Sequence, residues 1–414
     1  MIDVHNDEKL LKVLLKDDPD ITIEDALDNE MVINMGPQHP ATHGVLRLVL
    51  RLDGETVVNT VPELGYLHRG YEKMAEAMSF NEFIPHTDRL DYTSTMSNNV
   101  AYALAVEKLL GIEAPKRAQY IRMIIAEISR IMGHLVAIGT FAMDVGAVTM
   151  VLWTFREREK IQNIYDRVAG ARFTTSYTRI GGVASDFDDV AVKMTKEFLD
   201  EFDHTMDDFE KLLNTNKIFI GRLEGIGVLT KEDAIAFGVT GPNLRASGVQ
   251  YDIRRANPYL YYSDMDFNVP VFTEGDCLAR YFVRVDEVRE SIKILRQLLD
   301  KIPQGEIIAN LPKKVLPHKA EIYSRMEELI HDFMIVNFGV NPPVGDTYFS
   351  VENPKGELGF YFVSNGSGHP WKLKIRSPSF CNLQALPKMC NGQMISDVIA
   401  IIGSIDPVMG EADK

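Results

Sequence analysis

The sequence predicts an α+β protein, mainly helical, with β structure near both ends, and three observations carry this. Long central stretches repeat apolar residues at helical spacing. Segments around residues 45–58 and 347–375 instead alternate apolar and polar residues with the period of a strand. The third is composition: 414 residues, 45% hydrophobic and 25% charged, suffice for a sizeable buried core. The organisation expected is an N-terminal appendage over residues 1–32 and one domain over 33–414. That domain is β-rich at 33–92, helical at 93–340, and ends in a β meander and tail at 341–414.

Residues 1–33 are acidic, with Leu10, Leu11, Val13, Leu14 and Leu15 marking one short helix before Pro19. Asn34 to Gly44 follows, reading Asn-Met-Gly-Pro-Gln-His-Pro-Ala-Thr-His-Gly. Its two prolines fix φ and remove amide donors, and its two glycines permit turns, so this is a shaped loop. It carries His39 and His43, whose imidazoles donate, accept and change charge near neutral pH. A tight connection with satisfied polar groups and a binding site are both open readings. A zinc pair is disfavoured, because Pro40 interrupts the helical spacing and no Cys or second His pair stands near. Beyond the loop, alternating Leu46, Leu48, Leu50 and Leu52, then Asp53-Gly54 before Thr56, Val57 and Val58, predict a β-hairpin.

Helices are expected at Asn98–Leu110, stopped by Gly111, and from Pro115 onward, with Ile121, Ile124, Ile128, Met132 and Leu135 facing the core. Ala191–Leu213, Asp286–Ile302 and Ala320–Asn337 give three more. Thr347–Val351, Glu357–Ser364 and Trp371–Ile375, turning at Pro354-Lys355-Gly356 and Gly366-Ser367-Gly368, predict a three-stranded meander. Between Arg130 and Arg156 the only formally charged residue is Asp144. The stretch is long enough to span a bilayer, yet a central Asp costs roughly 2.5–3.5 kcal/mol there, so a helix buried in protein is expected. Asp144 then needs a partner: Arg156, a backbone amide, or a histidine of the 34–44 loop.

The balance of 44 Lys and Arg against 59 Asp and Glu, a formal charge of −15, disfavours nucleic acid and anionic membrane surfaces as partners. Cys277, Cys381 and Cys390 lack Cys-x-x-Cys spacing, so neither a disulfide framework nor a protein-held iron–sulfur or zinc site is suggested, and a reducing cytosolic setting fits. The first residues lack the basic start and apolar run of a secretory signal. No Gly-x-Gly-x-x-Gly after a strand and no P-loop pattern occurs in the Gly-rich stretch Leu223–Gly248.

Several blocks together have a counterpart. They are Gly36-Pro37-Gln38-His39-Pro40-Ala41-Thr42-His43-Gly44, Gly65-Tyr66-Leu67-His68-Arg69-Gly70, Asp88-Arg89-Leu90-Asp91-Tyr92, Arg179-Ile180-Gly181-Gly182-Val183, Pro354-Lys355-Gly356-Glu357 and Asp406-Pro407. In this order they make the chain, from about residue 32 onward, similar to the 49-kDa or D subunit family of respiratory complex I, NADH-quinone oxidoreductase.

The resemblance implies a nickel–iron-hydrogenase-large-subunit-like fold, with a central long-helix bundle between an N-terminal β-hairpin region and a C-terminal β meander. Hydrogenases hold their metal by Arg-x-Cys-x-x-Cys and Asp-Pro-Cys-x-x-Cys motifs. The corresponding text here is Arg89-Leu90-Asp91-Tyr92-Thr93-Ser94 and Asp406-Pro407-Val408-Met409-Gly410-Glu411. All four thiolates are missing, so no metal is expected on this chain and hydrogenase chemistry is ruled out. The resemblance further implies that His39, His43 and Tyr92 receive a quinone head group as substrate, that Asp144 pairs with His43, and that Arg69 and Arg89 lie near a 4Fe-4S cluster held by a neighbouring subunit. Where the family often has a cluster-facing histidine, this chain has Thr174, from which a cluster potential with weaker pH dependence is expected. Implied partners are the cluster-bearing B subunit, the C subunit and the membrane-arm H subunit, with NADH and FMN bound elsewhere in the complex. The implied location is peripheral, on the cytoplasmic side of the inner or plasma membrane. A ferredoxin- or deazaflavin-fed relative of complex I, and a scaffold subunit without a site of its own, remain open alternatives.

Overall fold

The computed structural model describes residues 30–39 and 42–414, and the helix expected before Pro19 lies outside them. Strands β1 (Met31–Met35), β2 (Arg47–Asp53) and β3 (Thr56–Glu63) form an antiparallel sheet in the order β1-β2-β3. The expected hairpin is β2–β3, turning at Gly54, whose φ of 60° suits glycine. β1 is an addition, too short to show alternation. It starts at Met31 and pairs with β2 from Met31↔Leu52 to Met35↔Leu48, so sheet pairing begins before residue 33. The 36–46 loop is therefore the closed connection between β1 and β2. Gly36 (φ 91°) lies so close to the Leu46 carbonyl that a Cβ would sit 2.1 Å from its oxygen, and only glycine fits.

Among the described residues, five long helices build the body. Helix α1 (Thr95–Leu110) ends at Gly111, left-handed at φ 63°, and α2 (Lys116–Asp144) starts behind Pro115 and runs 29 residues, about 44 Å. Helix α3 (Val148–Ala169) returns antiparallel along α2. The apolar run between Arg130 and Arg156, expected as one buried helix, is thus two: Gly146 (φ 95°) turns the chain, and the amides of Gly146 and Ala147 bond back to Met143 and Ala142 at 2.9 and 2.8 Å. Among the described residues no helix is long and apolar enough to cross a membrane. Helices α4 (Asp189–Asn214) and α5 (Cys277–Lys301) are capped by Asp188 and Asp276, whose carboxylates accept the Ala191 and Ala279 amides. Helix α5 begins nine residues before the expected Asp286, because arginines on its buried face hide the apolar period. The single helix expected at Ala320–Asn337 is a short turn at Lys319–Ile322 followed by α6 (Met326–Phe338).

Strands β4 (Gly345–Asn353), β5 (Gly356–Ser364) and β6 (Lys372–Arg376) form the expected meander, antiparallel in chain order. Pairing of Asn353 with Gly356 leaves Pro354-Lys355 as a two-residue turn, pressed onto α2 where a Cβ on Gly133 would be 3.2 Å from Pro354. Helices α7 (Pro378–Gln384) and α8 (Ile395–Ile405) precede a buried C-terminal tail. Helix α2 is central, packing against α1, α3, α5 and α8. The architecture is a mainly helical α+β fold with a three-stranded sheet near each end of the described chain.

Candidate active site

Asp144 is the last residue of α2, where the negative end of the helix disfavours a carboxylate. A cationic or donating partner relieves this. His43 supplies it: Nε2 lies 2.6 Å from Asp144 Oδ2, with both side chains about nine-tenths covered. Arg156 is not the partner; it bonds Glu157 at 2.7 Å. His43 adopts a left-handed φ of 49°, held by a loop in which His39 O accepts the Thr42 amide at 3.1 Å and its hydroxyl at 2.8 Å. Gly403 of α8 abuts the pair: a Cβ there would meet Asp144 Oδ2 at 2.8 Å and His43 Nε2 at 3.5 Å.

Tyr92 lies on the loop before α1, and that loop is tied from several sides. Asp88 accepts the Ser176 amide and hydroxyl at 2.9 and 2.7 Å, Asp91 Oδ1 accepts the Thr93 amide and hydroxyl at 3.0 and 2.7 Å, and Asn98 donates to the Asp91 carbonyl at 2.9 Å. The Tyr92 ring is half-buried, and burial, followed by the charge of Asp91, raises its phenol above the ordinary range. A Cβ on Gly410 would lie 2.6 Å from the Arg89 and Leu90 carbonyls and 3.5 Å from the Tyr92 ring, while one on Gly44 would meet Met409 at 3.2 Å. The His43 loop and the Tyr92 loop thus pack against adjacent residues of one tail.

Behind Tyr92, Lys355 is buried at the tip of the β4–β5 turn. Its ammonium lies 3.1 Å from Asp406, 3.3 Å from Asp91 and 2.8 Å from the Thr93 hydroxyl. Burial disfavours the ammonium, but Asp406, Asp91 and Glu411 outweigh this and raise its pKa. A buried ammonium therefore neutralises two carboxylates, Asp91 and Asp406.

His39 is exposed and forms a backbone bridge with Gly44. Arg69 is exposed on a loop that Asp413 ties down by accepting the Gly65 and Leu67 amides at 2.9 and 2.7 Å. Arg89 is exposed and donates to the Pro85 carbonyl. Thr174 sits between Phe173, whose carbonyl accepts from Thr95 at 3.0 Å, and the Thr175-Ser176 step anchored to Asp88. The structure brings His43, Asp144 and Tyr92 against the segment from the end of α8 into the tail and leaves Arg69 and Arg89 exposed.

Sequence reading missed an interior ion network. Arg245 bonds Glu287 at 2.8 Å and Glu352 at 2.8 Å, His134 bonds Glu287 at 2.9 Å, and Arg254 bridges Asp252 at 2.7 Å and Glu127 at 3.1 Å. All are fully buried. The signal existed: Glu127, Arg130 and His134 recur at helical spacing inside an apolar face, as do Arg280, Arg284 and Glu287.

Comparison with known proteins gives this geometry a family. The sequence profile described as "Respiratory-chain NADH dehydrogenase, 49 Kd subunit" matches residues 144–414. The chain is 58% identical over 409 residues to the D subunit, numbered 1, of the NADH-quinone oxidoreductase of Chloroherpeton thalassium, covering 98% of this chain and 93% of that protein. The chain belongs to that family. The corresponding D subunit of Salinibacter ruber is 55% identical over 391 residues, 94% of this chain and 87% of its own, and that of Methylacidiphilum infernorum 54% over 384, 93% and 92%. Membership makes the chain a subunit of NADH-quinone oxidoreductase, respiratory complex I.

Proposed function

We propose that this chain forms the quinone-reducing site of a proton-translocating NADH-quinone oxidoreductase, with Tyr92 and His43 receiving the head group of a membrane quinone. One observation carries the reading: a half-buried phenol and an imidazole–carboxylate pair pack against one short segment, Gly403 to Gly410, that runs from the end of α8 into the tail.

Quinone reduction consumes two electrons and two protons at its carbonyl oxygens. Tyr92 Oη is suited to donate to one such oxygen as it gains charge, and its raised pKa means that the phenol releases its proton only to a strong base and recovers it readily. His43 donates in the same way, and Asp144 orients its ring and stabilises the imidazolium. When the pair loses its proton, negative charge is left at the end of α2, where the helix dipole opposes it. That charge is our candidate trigger for proton translocation. An active Asp144→Asn complex is expected to translocate fewer protons per electron, and an unaltered ratio refutes the trigger.

Electrons reach the site from a neighbouring subunit's iron–sulfur cluster. Arg69 and Arg89, being exposed, are free to face that subunit and favour the reduced cluster. The hydrogenase-like fold fits the central α2 and the tail buried beside it. Apolar residues left exposed, Val148 and Leu152 at the start of α3 and Met326, Ile330 and Phe333 on α6, suit a chain covered by the B, C and H subunits on the cytoplasmic side of the membrane.

The test is Tyr92→Phe in membranes, measuring NADH-to-quinone transfer beside NADH oxidation by a water-soluble acceptor. Quinone reduction is expected to collapse while the bypass persists. Survival of both rates moves the scaffold reading to the front.

A further inference from the structure

Glu411 follows the glycine that abuts Tyr92 and is fully buried. Its Oε1 accepts the Ser379 amide at 3.1 Å and the Ser379 hydroxyl, whose oxygen accepts the Val408 amide at 3.2 Å. Its Oε2 is buried and makes no hydrogen bond with the described residues. The charged and titratable groups around it come from every neighbouring segment: Asp91 and Tyr92 from the loop before α1, Lys355 from the β4–β5 turn, and Lys414 from the chain end. Asp406, at the end of α8, faces Lys355 and also Arg284 of α5. Lys355 already serves two carboxylates, Asp91 and Asp406, so a third negative charge here is in excess. Burial, then Asp91, push Glu411 up to about 8, against the two Ser379 donors and the Lys355 charge.

We propose that Glu411, gripped by Ser379 and facing Asp91 and Lys355, is a positioning residue that sets how readily the Tyr92 phenol releases its proton. The inference rests on Tyr92 being a proton donor to quinone. While Glu411 is neutral, Lys355 tolerates a transient phenolate at Tyr92. Once Glu411 ionises, its charge adds to those of Asp91 and Asp406, all three of which disfavour the phenolate. The coupling acts through space, and no proton passes between Glu411 and Tyr92. Quinone reduction therefore falls on the alkaline side as Glu411 loses its proton.

The experiment uses membranes carrying the assembled complex. NADH-to-quinone rate, normalised to NADH oxidation by ferricyanide, is followed from about pH 6 to about pH 9 for the unaltered chain, Glu411→Gln and Ser379→Ala. The unaltered chain is expected to lose rate with a midpoint near about 8. In Glu411→Gln that fall disappears, whatever the plateau rate. In Ser379→Ala, which removes a donor to the carboxylate, it moves to higher pH. Variant profiles that superimpose on the unaltered one overturn the proposal. Loss of both rates in Glu411→Gln signals failed assembly, and Ser379→Ala then decides alone. Tyr92→Phe separates the layers. If it abolishes quinone reduction while the Glu411→Gln profile is unchanged, only the role of Glu411 fails; if quinone reduction survives it, the reading of Tyr92 falls as well.

Discussion

Two buried ionic regions of this molecule solve the same problem differently. In the interior network a single carboxylate can gather several partners: Glu127 is met by Arg254 at 3.1 Å, Arg130 at 3.3 Å, Tyr262 at 2.7 Å and Ser291 at 2.7 Å. Those partners hold its pKa low although burial acts the other way. At the candidate site, among the described residues, His43 pairs with Asp144, Glu411 keeps one oxygen without a hydrogen bond, and one ammonium serves two carboxylates. A carboxylate as well met as Glu127 stays ionised, and its bonds, with those of His134 to Glu287, tie α2 to α5. At the candidate site Glu411 is instead shifted toward its neutral form, by burial and by Asp91.

The contrast can be broken most severely from the interior side. Arg254→Leu leaves the buried Asp252 with Arg245 at 4.0 Å as its ion-pair partner and takes one cation from Glu127, and removing one partner of a buried pair costs roughly 3–5 kcal/mol. Quinone reduction and the membrane-bound bypass activity are expected to fall together, with less subunit recovered in the complex. Tyr92→Phe marks the other pole: about a 100-fold loss of quinone reduction or more, the scale of general acid catalysis, with bypass and assembly intact. Gly403→Ala is milder. Its Cβ would lie 2.8 Å from Asp144 Oδ2 and 2.9 Å from Phe141, so the His43–Asp144 pair must shift, and quinone reduction is expected to drop several-fold in an assembled complex. The smallest effect is on stability. Glu411 is raised from 4.5 to about 8, so the folded chain holds a proton that the unfolded chain releases across that interval. Its contribution is full below about 4.5 and is lost as pH rises towards 8. The temperature of irreversible inactivation of the complex should decline less steeply over that range in Glu411→Gln.

The difference between the regions also explains what was legible. Helices α1 and α4, the start of α2 and the meander were read within a few residues of their ends, because periodicity, Gly111, Pro115 and the Pro354-Lys355 turn act locally. The start of α5 and the ion network were missed together, because arginines paired in the core look like a solvated face in a sequence. Strand β1 was missed because an edge of five residues draws its stability from β2, not from its own pattern. The break at Gly146 was hidden in a run that is apolar on both sides.

The sequence by itself determined most helical and strand periods, a Pro- and Gly-shaped segment at Asn34–Gly44, the missing thiolates in the two motifs and the lone Asp144, all of which depend on residue type and near neighbours. Only the tertiary structure decided that Asp144 meets His43, 101 positions away, rather than Arg156. It likewise decided that Lys355 sits between Asp91 and Asp406, and that Gly403 and Gly410 let one segment approach both loops. The physical reason is that a charge takes whichever partner the packed backbone brings within reach, and that choice is made by closure of long loops around α2.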